Sequence, residues 1–176
     1  HYYENGKKYP SELEADVEAA MKKVEKIMGA GFGDVENPLL MSVRSGARSS
    51  MPGMMETVLN VGLTSKTIKG LVKKTQNERF VYDSYRRLIQ MFGSVVMGLP
   101  DEAFEDPMEE FKHQKGAKLD TDLSADDLKE LVTAFKKIVR EHKGFDFPQD
   151  VYKQLELATK AVFESWMGKR AIDYRR

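Results

Sequence analysis

Apolar residues recur at helical spacing along most of the chain. Leu13, Val17, Met21, Val24, Ile27 and Met28 form a stripe closed by Gly29 and Gly31, and Ser11 with Glu14 three residues on predicts an N-cap. The same spacing predicts a helix over 65–74 through Ile68, Leu71 and Val72. A longer one from Glu78 to about Met97 carries Phe80, Tyr85, Leu88, Ile89, Phe92 and Val96. A shorter acidic and peripheral helix presents Phe104, Met108 and Phe111, its regularity limited by Pro107. Ser124 and Asp127 open the next, with Leu128, Leu131, Val132, Phe135, Ile138 and Val139 inward and Gly144 as its stop. The last runs from about Asp150 to a buried Trp166, with Leu155, Ala158 and Val162 inward.

One run departs from this period. Residues 38–44, PLLMSVR, read as a buried strand between turn signals, followed by a loop over 45–52 and a short helix around 54–59. The expected fold is mainly α with a small β component, about six helices and one or two short strands. A lone strand cannot satisfy its own backbone groups, so its sheet partner is expected outside this chain. The reading is a single partial domain over 1–176, with helix, strand and loop in 1–63 and a helical subdomain in 64–176.

Charge narrows the function classes. The 176 residues carry 28 Lys plus Arg against 28 Asp plus Glu. With no global field to hold a polyanion, neither nucleic acid nor an anionic membrane is an expected partner, and any anion site must be local. No stretch approaches the roughly 18 apolar residues of a membrane span. The absence of cysteine excludes disulfides, thiolate metal sites and cysteine nucleophiles and fits a reducing compartment. The expected location is cytoplasmic, with a plastid or another organelle as alternatives. The chain opens on His1 without an initiator Met or a leader, so its ends read as cut.

The candidate chemistry lies in Asn37 to Met55, nineteen residues with Arg44 and Arg48 and no acid. Four of the ten methionines fall there, with Ser42, Ser45, Ser49, Ser50, Gly46 and Gly53. Small residues let a backbone approach a ligand, hydroxyls and amides donate to phosphate oxygens, and a guanidinium at a strand end grips phosphate bidentately. The competing account is a Gly/Ser loop with solvated arginines, and composition alone favours it.

Other motifs reduce to plainer accounts. Gly29-Ala30-Gly31-Phe32-Gly33 follows a helix and precedes a strand, the reverse of a dinucleotide turn, so it reads as a helix stop. Asp120-Thr121-Asp122 begins like a calcium loop, but Ala125 and Leu131 stand where Gly and Glu are needed, and helix capping by Ser124 explains it better. The acids Asp101, Glu102, Glu105, Asp106, Glu109 and Glu110 cover several helix faces, as a solvated surface does. His113 and His142 have no companion at ligand spacing. Arg86 and Arg87 point about 100° apart, so at most one faces the core. Their readings are an internal salt bridge to Asp83 or another acid, or a docking surface for a mobile domain.

Residues 42–57, SVRSGARSSMPGMMET, resemble the signature of the nucleotide-binding domain of the pyruvate phosphate dikinase family. The likeness continues through 59–63 (LNVGL), 77–87 (NERFVYDSYRR), 120–123 (DTDL), 161–166 (AVFESW) and Tyr174-Arg175-Arg176, and so covers essentially the whole chain. The Met51 to Met55 segment separates this family from phosphoenolpyruvate synthase, whose loop is more acidic. The resemblance implies part of an ATP-grasp-like α+β domain that passes phosphate from ATP to a histidine on a swivelling domain. The family interconverts ATP, phosphate and pyruvate with AMP, diphosphate and phosphoenolpyruvate, using Mg2+ and a monovalent cation. By likeness, Arg44 contacts the ATP phosphates and Arg48 is a weaker second candidate. Ser45, Gly46, Met51, Pro52 and Gly53 support the loop, and on the docking reading of Arg86 and Arg87 the phosphohistidine domain is their partner.

The departures are Glu56 where aspartate is common, Gln76 where glycine is common and Asp173 where an apolar residue is common. The upstream lysine of the family's site, its downstream metal-binding acids and glutamine, the histidine domain and the pyruvate barrel have no counterpart here. The resemblance therefore implies a homodimeric parent enzyme, Mg2+ ligands outside this chain, and no activity from the chain alone. Two alternatives stand beside it: a helical docking module without catalytic role, and a related dikinase such as phosphoenolpyruvate synthase or a glucan dikinase.

Overall fold

The computed structural model describes residues 2–46 and 53–175. Among these the elements are α1 (Leu13–Met28), β1 (Met41–Arg44), β2 (Thr57–Val61), α2 (Thr67–Thr75) and α3 (Glu78–Met91), the last continued by a π-helical turn, Phe92–Val96. There follow α4 (Glu102–Lys115), a 3-10 turn at Asp120–Asp122, α5 (Ala125–Lys143), α6 (Val151–Ser165) and α7 (Lys169–Arg175). The fold is mainly α with a small β part, as the hydrophobic pattern predicts. The seventh helix, after Trp166, was not expected.

The strand's partner lies inside the chain. β1 pairs antiparallel with β2, so residues expected to form a short helix around 54–59 instead contribute to a strand. The register explains the misreading. Met41 faces Val61 and Val43 faces Val58, so two steps on β1 match three on β2. Asn60 takes up the extra residue with φ 59°, a β-bulge that places both Val58 and Val61 in the core. Their spacing of three mimics a helix in sequence while both serve one sheet face.

One hydrophobic cluster joins the elements, running from Met21 on α1 through Val58 and Val61 on β2 to Tyr85, Leu88, Phe135 and Ala158 on α3, α5 and α6. α3 packs most extensively on α5. α4 is less peripheral than expected: it runs unbroken through Pro107, Phe104 is fully buried and Met108 nearly so, and Phe104 stacks edge-on against Phe135 with centroids 5.1 Å apart. Gly93 permits this, because a Cβ there would strike the Phe104 ring. Phe80 is about half exposed. Trp166 also lies outside the core: it follows α6 at the corner before α7, and the Arg175 guanidinium covers its ring at 3.9 Å.

The helix ends follow local chemistry. Gly29 and Gly144 close α1 and α5 in left-handed conformations. Ser11 does not cap α1, because the helix starts two residues later after Glu12 and the Ser11 hydroxyl donates to the Glu12 carboxylate at 2.9 Å. At α5 the capping box is complete: Asp127 N–H donates to Ser124 Oγ at 3.2 Å, and Ser124 N–H and Oγ–H donate to Asp127 Oδ2 at 2.9 and 2.6 Å. The hydrogen bond from the Ser124 hydroxyl, with those from its backbone and Lys115, holds the Asp127 carboxyl at about 2. A folded-state value below the ordinary one means stability that is present above about pH 4 and lost as pH falls toward 2. Ser124→Ala is expected to cost about 1 kcal/mol at pH 7 and progressively less by pH 2, measured by denaturant titration across that range.

Position 76 favours glycine for a local reason. Gln76 caps α2 in the left-handed region at φ 53°, its N–H donating to Val72 O at 2.9 Å. A side chain there costs roughly 1 kcal/mol, partly offset by glycine's larger unfolded entropy. Gln76→Gly is expected to raise stability by about 0.5 kcal/mol, read as a higher Tm.

Candidate functional site

The β1–β2 hairpin carries the acid-free stretch. Along β1, Met41 and Val43 are half-buried while Ser42 and Arg44 are exposed, so pleating sets serine and arginine on the solvent face. Arg44 is the last residue of β1 and pairs in register with exposed Thr57 at the start of β2. Directly opposed residues project to the same face, so Arg44, Ser42 and Thr57 bring one guanidinium and two hydroxyls to one surface. No described acid forms an ion pair with Arg44. That arrangement suits a tetrahedral oxyanion, which takes a fork of guanidinium donors and supplementary hydroxyl donors.

Of the loop after Arg44, Arg48, Met51 and Pro52 lie outside the described residues. Ser45 is half-buried and Gly46 exposed. Gly53 is exposed with φ 69°, a conformation that suits glycine at the turn leading back to β2. This returning end is fastened to the helices. Gly53 O accepts from Arg170 Nη1 at 3.2 Å, Glu56 Oε1 from Arg170 Nη2 at 2.7 Å, and Glu56 N–H donates to Ser165 Oγ at 3.1 Å. Beside these contacts is a cleft of about 470 Å³ between the loop end, Val95 and Val96 of the π-helical turn, and α6–α7, with Lys160 and Lys169 at its rim.

The far end of β2 is held by a residue the sequence reading passed over. Gln154, wholly buried on α6, accepts from Gly62 N–H at 2.9 Å and donates to Leu63 O at 2.9 Å and Pro148 O at 2.8 Å. A signal was present, since Gln154 stands on the same helical stripe as Ala158 and Val162, and a buried amide must spend its hydrogen bonds. Arg170 and Ser165 gave no such signal, because their partners are more than a hundred residues away.

Arg86 and Arg87 separate as their angular offset requires. Arg86 is 4% exposed and bonds Asp83, Gln90 and, at 3.4 Å, Asp120. It is an internal ion-pair residue, and burial removes it from any docking surface. Arg87 is exposed and reaches Asp83 Oδ2 with Nε at 2.9 Å. Burial raises the Asp83 carboxyl, but hydrogen bonds and charge from Arg86 and Arg87 outweigh it and hold the group below its ordinary value. Asp120 also pairs with Lys112 at 3.3 Å, and its backbone carbonyl accepts from Arg79. The calcium-like sequence is thus a bracket among helices. Asp122 accepts from the N–H groups of Lys118 and Leu119, and Asp127 caps α5. The acids of α4 are all exposed, as are His113 and His142.

The geometry defines an oxyanion-suited hairpin end on a helical frame; the comparisons with known proteins give the family of the whole chain. The profile of the family described as pyruvate phosphate dikinase, AMP/ATP-binding domain, matches residues 7–176, and the chain belongs to that family. It is 54% identical over 172 residues to pyruvate, phosphate dikinase of Entamoeba histolytica, a match covering 98% of this chain and 19% of that protein. To the enzyme of Clostridium symbiosum it is 52% identical over 176 residues, covering 99% of this chain and 20% of the relative. To the chloroplastic enzyme of Flaveria pringlei it is 53% identical over 174 residues, covering 99% and 18%. The chain spans about a fifth of the length of these curated relatives. Among the described residues no helix is long and apolar enough to cross a membrane.

Proposed function

We propose that this chain forms part of the ATP site of a pyruvate phosphate dikinase and that Arg44 holds the nucleotide's phosphates. The observation that carries the reading is the placement of Arg44: exposed at the end of β1, without a described acidic partner, on one face with Ser42 and Thr57. Phosphoryl transfer asks a protein chiefly for positioning and charge neutralisation. Here the sheet fixes the backbone that carries the guanidinium, and a fixed cation opposite a polyphosphate stabilises charge with little reorganisation.

In this reading the phosphate goes to a histidine on a separate swivelling domain, and the complete enzyme converts ATP, phosphate and pyruvate to AMP, diphosphate and phosphoenolpyruvate. Arg87, the exposed member of the arginine pair, is the docking candidate for that domain. Mg2+ would neutralise phosphate charge in the complete enzyme. In this reading its ligands belong to parts of the parent enzyme outside these 176 residues.

The test compares histidine phosphorylation by MgATP in the full-length protein with that of residues 1–176 supplied with the isolated histidine domain. Phosphohistidine is expected from the full-length protein and none from the 176 residues. Equal labelling by the 176 residues would contradict a partial site, and no labelling by the full-length protein would contradict the reaction.

A further inference from the structure

We infer that Arg170 is a positioning residue for the phosphate-binding end of the hairpin, a latch closed on Glu56 and Gly53; the inference rests on the proposed role of Arg44. The hairpin's two ends meet at one register pair. Arg44 closes β1, Thr57 opens β2 opposite it, and Glu56 immediately precedes Thr57. Whatever fixes Glu56 therefore fixes the backbone against which the Arg44 end of β1 is paired.

Three hydrogen bonds do so. The Arg170 guanidinium spans the turn, one nitrogen on Gly53 O and the other on Glu56 Oε1, while Ser165 Oγ receives the Glu56 N–H. Ser165 is itself oriented by donating to Val162 O at 2.7 Å. The fork suits this task because a rigid planar cation can hold a carbonyl and a carboxylate at once, which a lysine ammonium does less well. Its anchorage is firm: Ala171, the next residue, is fully buried, and Val162 is 6% exposed. These contacts tie residues 53–57 to α6 and α7.

Exposure distinguishes positioning from general support. The Arg170 side chain is 65% exposed and that of Glu56 33% exposed. Ion pairs so open to water contribute little to global stability. Removing the latch should therefore leave the fold intact and change what the hairpin end binds. Lys169 and Lys160, at the rim of the same cleft, take part in none of these bonds and serve as charge-matched controls.

The experiment is an NMR titration of the 176-residue chain and its variants with MgATP, following the Arg44 and Thr57 amides, together with thermal melts. Arg170→Ala and Glu56→Gln are each expected to weaken MgATP binding about tenfold with Tm unchanged, and together no more than either alone, as partners in one contact behave. Arg170→Lys is expected to restore part of the affinity, and Lys169→Ala to cost less than twofold. Additive losses, or a Lys169→Ala loss equal to that of Arg170→Ala, would reduce the effect to local charge and overturn the latch. Wild-type affinity in Arg170→Ala alongside a large loss in Arg44→Ala would overturn the latch and leave the site. No effect from Arg44→Ala would overturn the site, and the latch with it.

Discussion

Arg44→Ala is expected to lower the rate of ATP-dependent histidine phosphorylation in the full-length enzyme by roughly 10²–10³-fold, with the fold unchanged. The size follows from the placement of the side chain. Arg44 stands at the end of a short strand, without a described acidic partner and exposed, so its loss leaves no buried charge unpaired and removes no core contact. What is lost, on the proposed role of Arg44, is a prepositioned cation where charge is held during transfer. Arg44→Lys is expected to recover part of the rate, because charge is retained while the bidentate fork is not. Single-turnover kinetics on folded variants, with matched circular dichroism, separates this from unfolding. A fall of less than threefold would mean that the phosphates are held elsewhere.

Arg86→Ala is expected to destabilise the chain by about 3 kcal/mol at neutral pH. Arg86 is buried on α3 against the 3-10 turn, and its removal leaves the half-buried Asp83 with exposed Arg87 alone and weakens the hold on Asp120. The Asp83 carboxyl is held below its ordinary value in the folded chain, so the stability it contributes is present above about pH 4 and lost as pH falls through that lowered value. The penalty of Arg86→Ala should shrink over the same range as Asp83 protonates. Replacing both partners, as in Arg86→Met with Asp83→Leu, should recover much of the loss, since an apolar pair leaves no charge unsatisfied. Urea titrations at pH 7 and pH 3 measure both effects. A pH-independent loss would assign the cost to packing alone.

What the sequence made legible was mostly local. α3, α5 and α6 followed from the 3.6-residue stripes of Tyr85, Leu88 and Ile89, of Leu128, Leu131 and Phe135, and of Ala158 and Val162, because a buried helix face repeats at short range. The α5 cap was equally plain, since Ser124 and Asp127 meet within one turn. β2 was missed because the bulge at Asn60 gave Val58 and Val61 a helical spacing, and with β2 hidden, β1 seemed to need a partner from outside. Trp166 was misplaced because its stripe continues past the helix end, where the chain has already turned toward α7.

The candidate site divided in the same way. Arg44 was visible as a cation in an acid-free stretch, and the resemblance gave it a role that composition alone did not. Its alignment with Ser42 and Thr57 depends on a register that no local pattern encodes. The Arg170–Glu56 contact joins residues 114 apart, and only the fold brings them together. Arg86 and Arg87, alike in sequence, were separated only by which of them the α3–α5 packing buries.

The most direct measurement is an NMR titration of the 176-residue chain with MgATP, run in parallel on Arg44→Ala. The account predicts phosphate-dependent shifts centred on residues 42–57 that the substitution abolishes and that adenosine alone does not produce. Shifts of equal size in the variant, or shifts confined to helices remote from the hairpin, would contradict the assignment of the phosphates to Arg44.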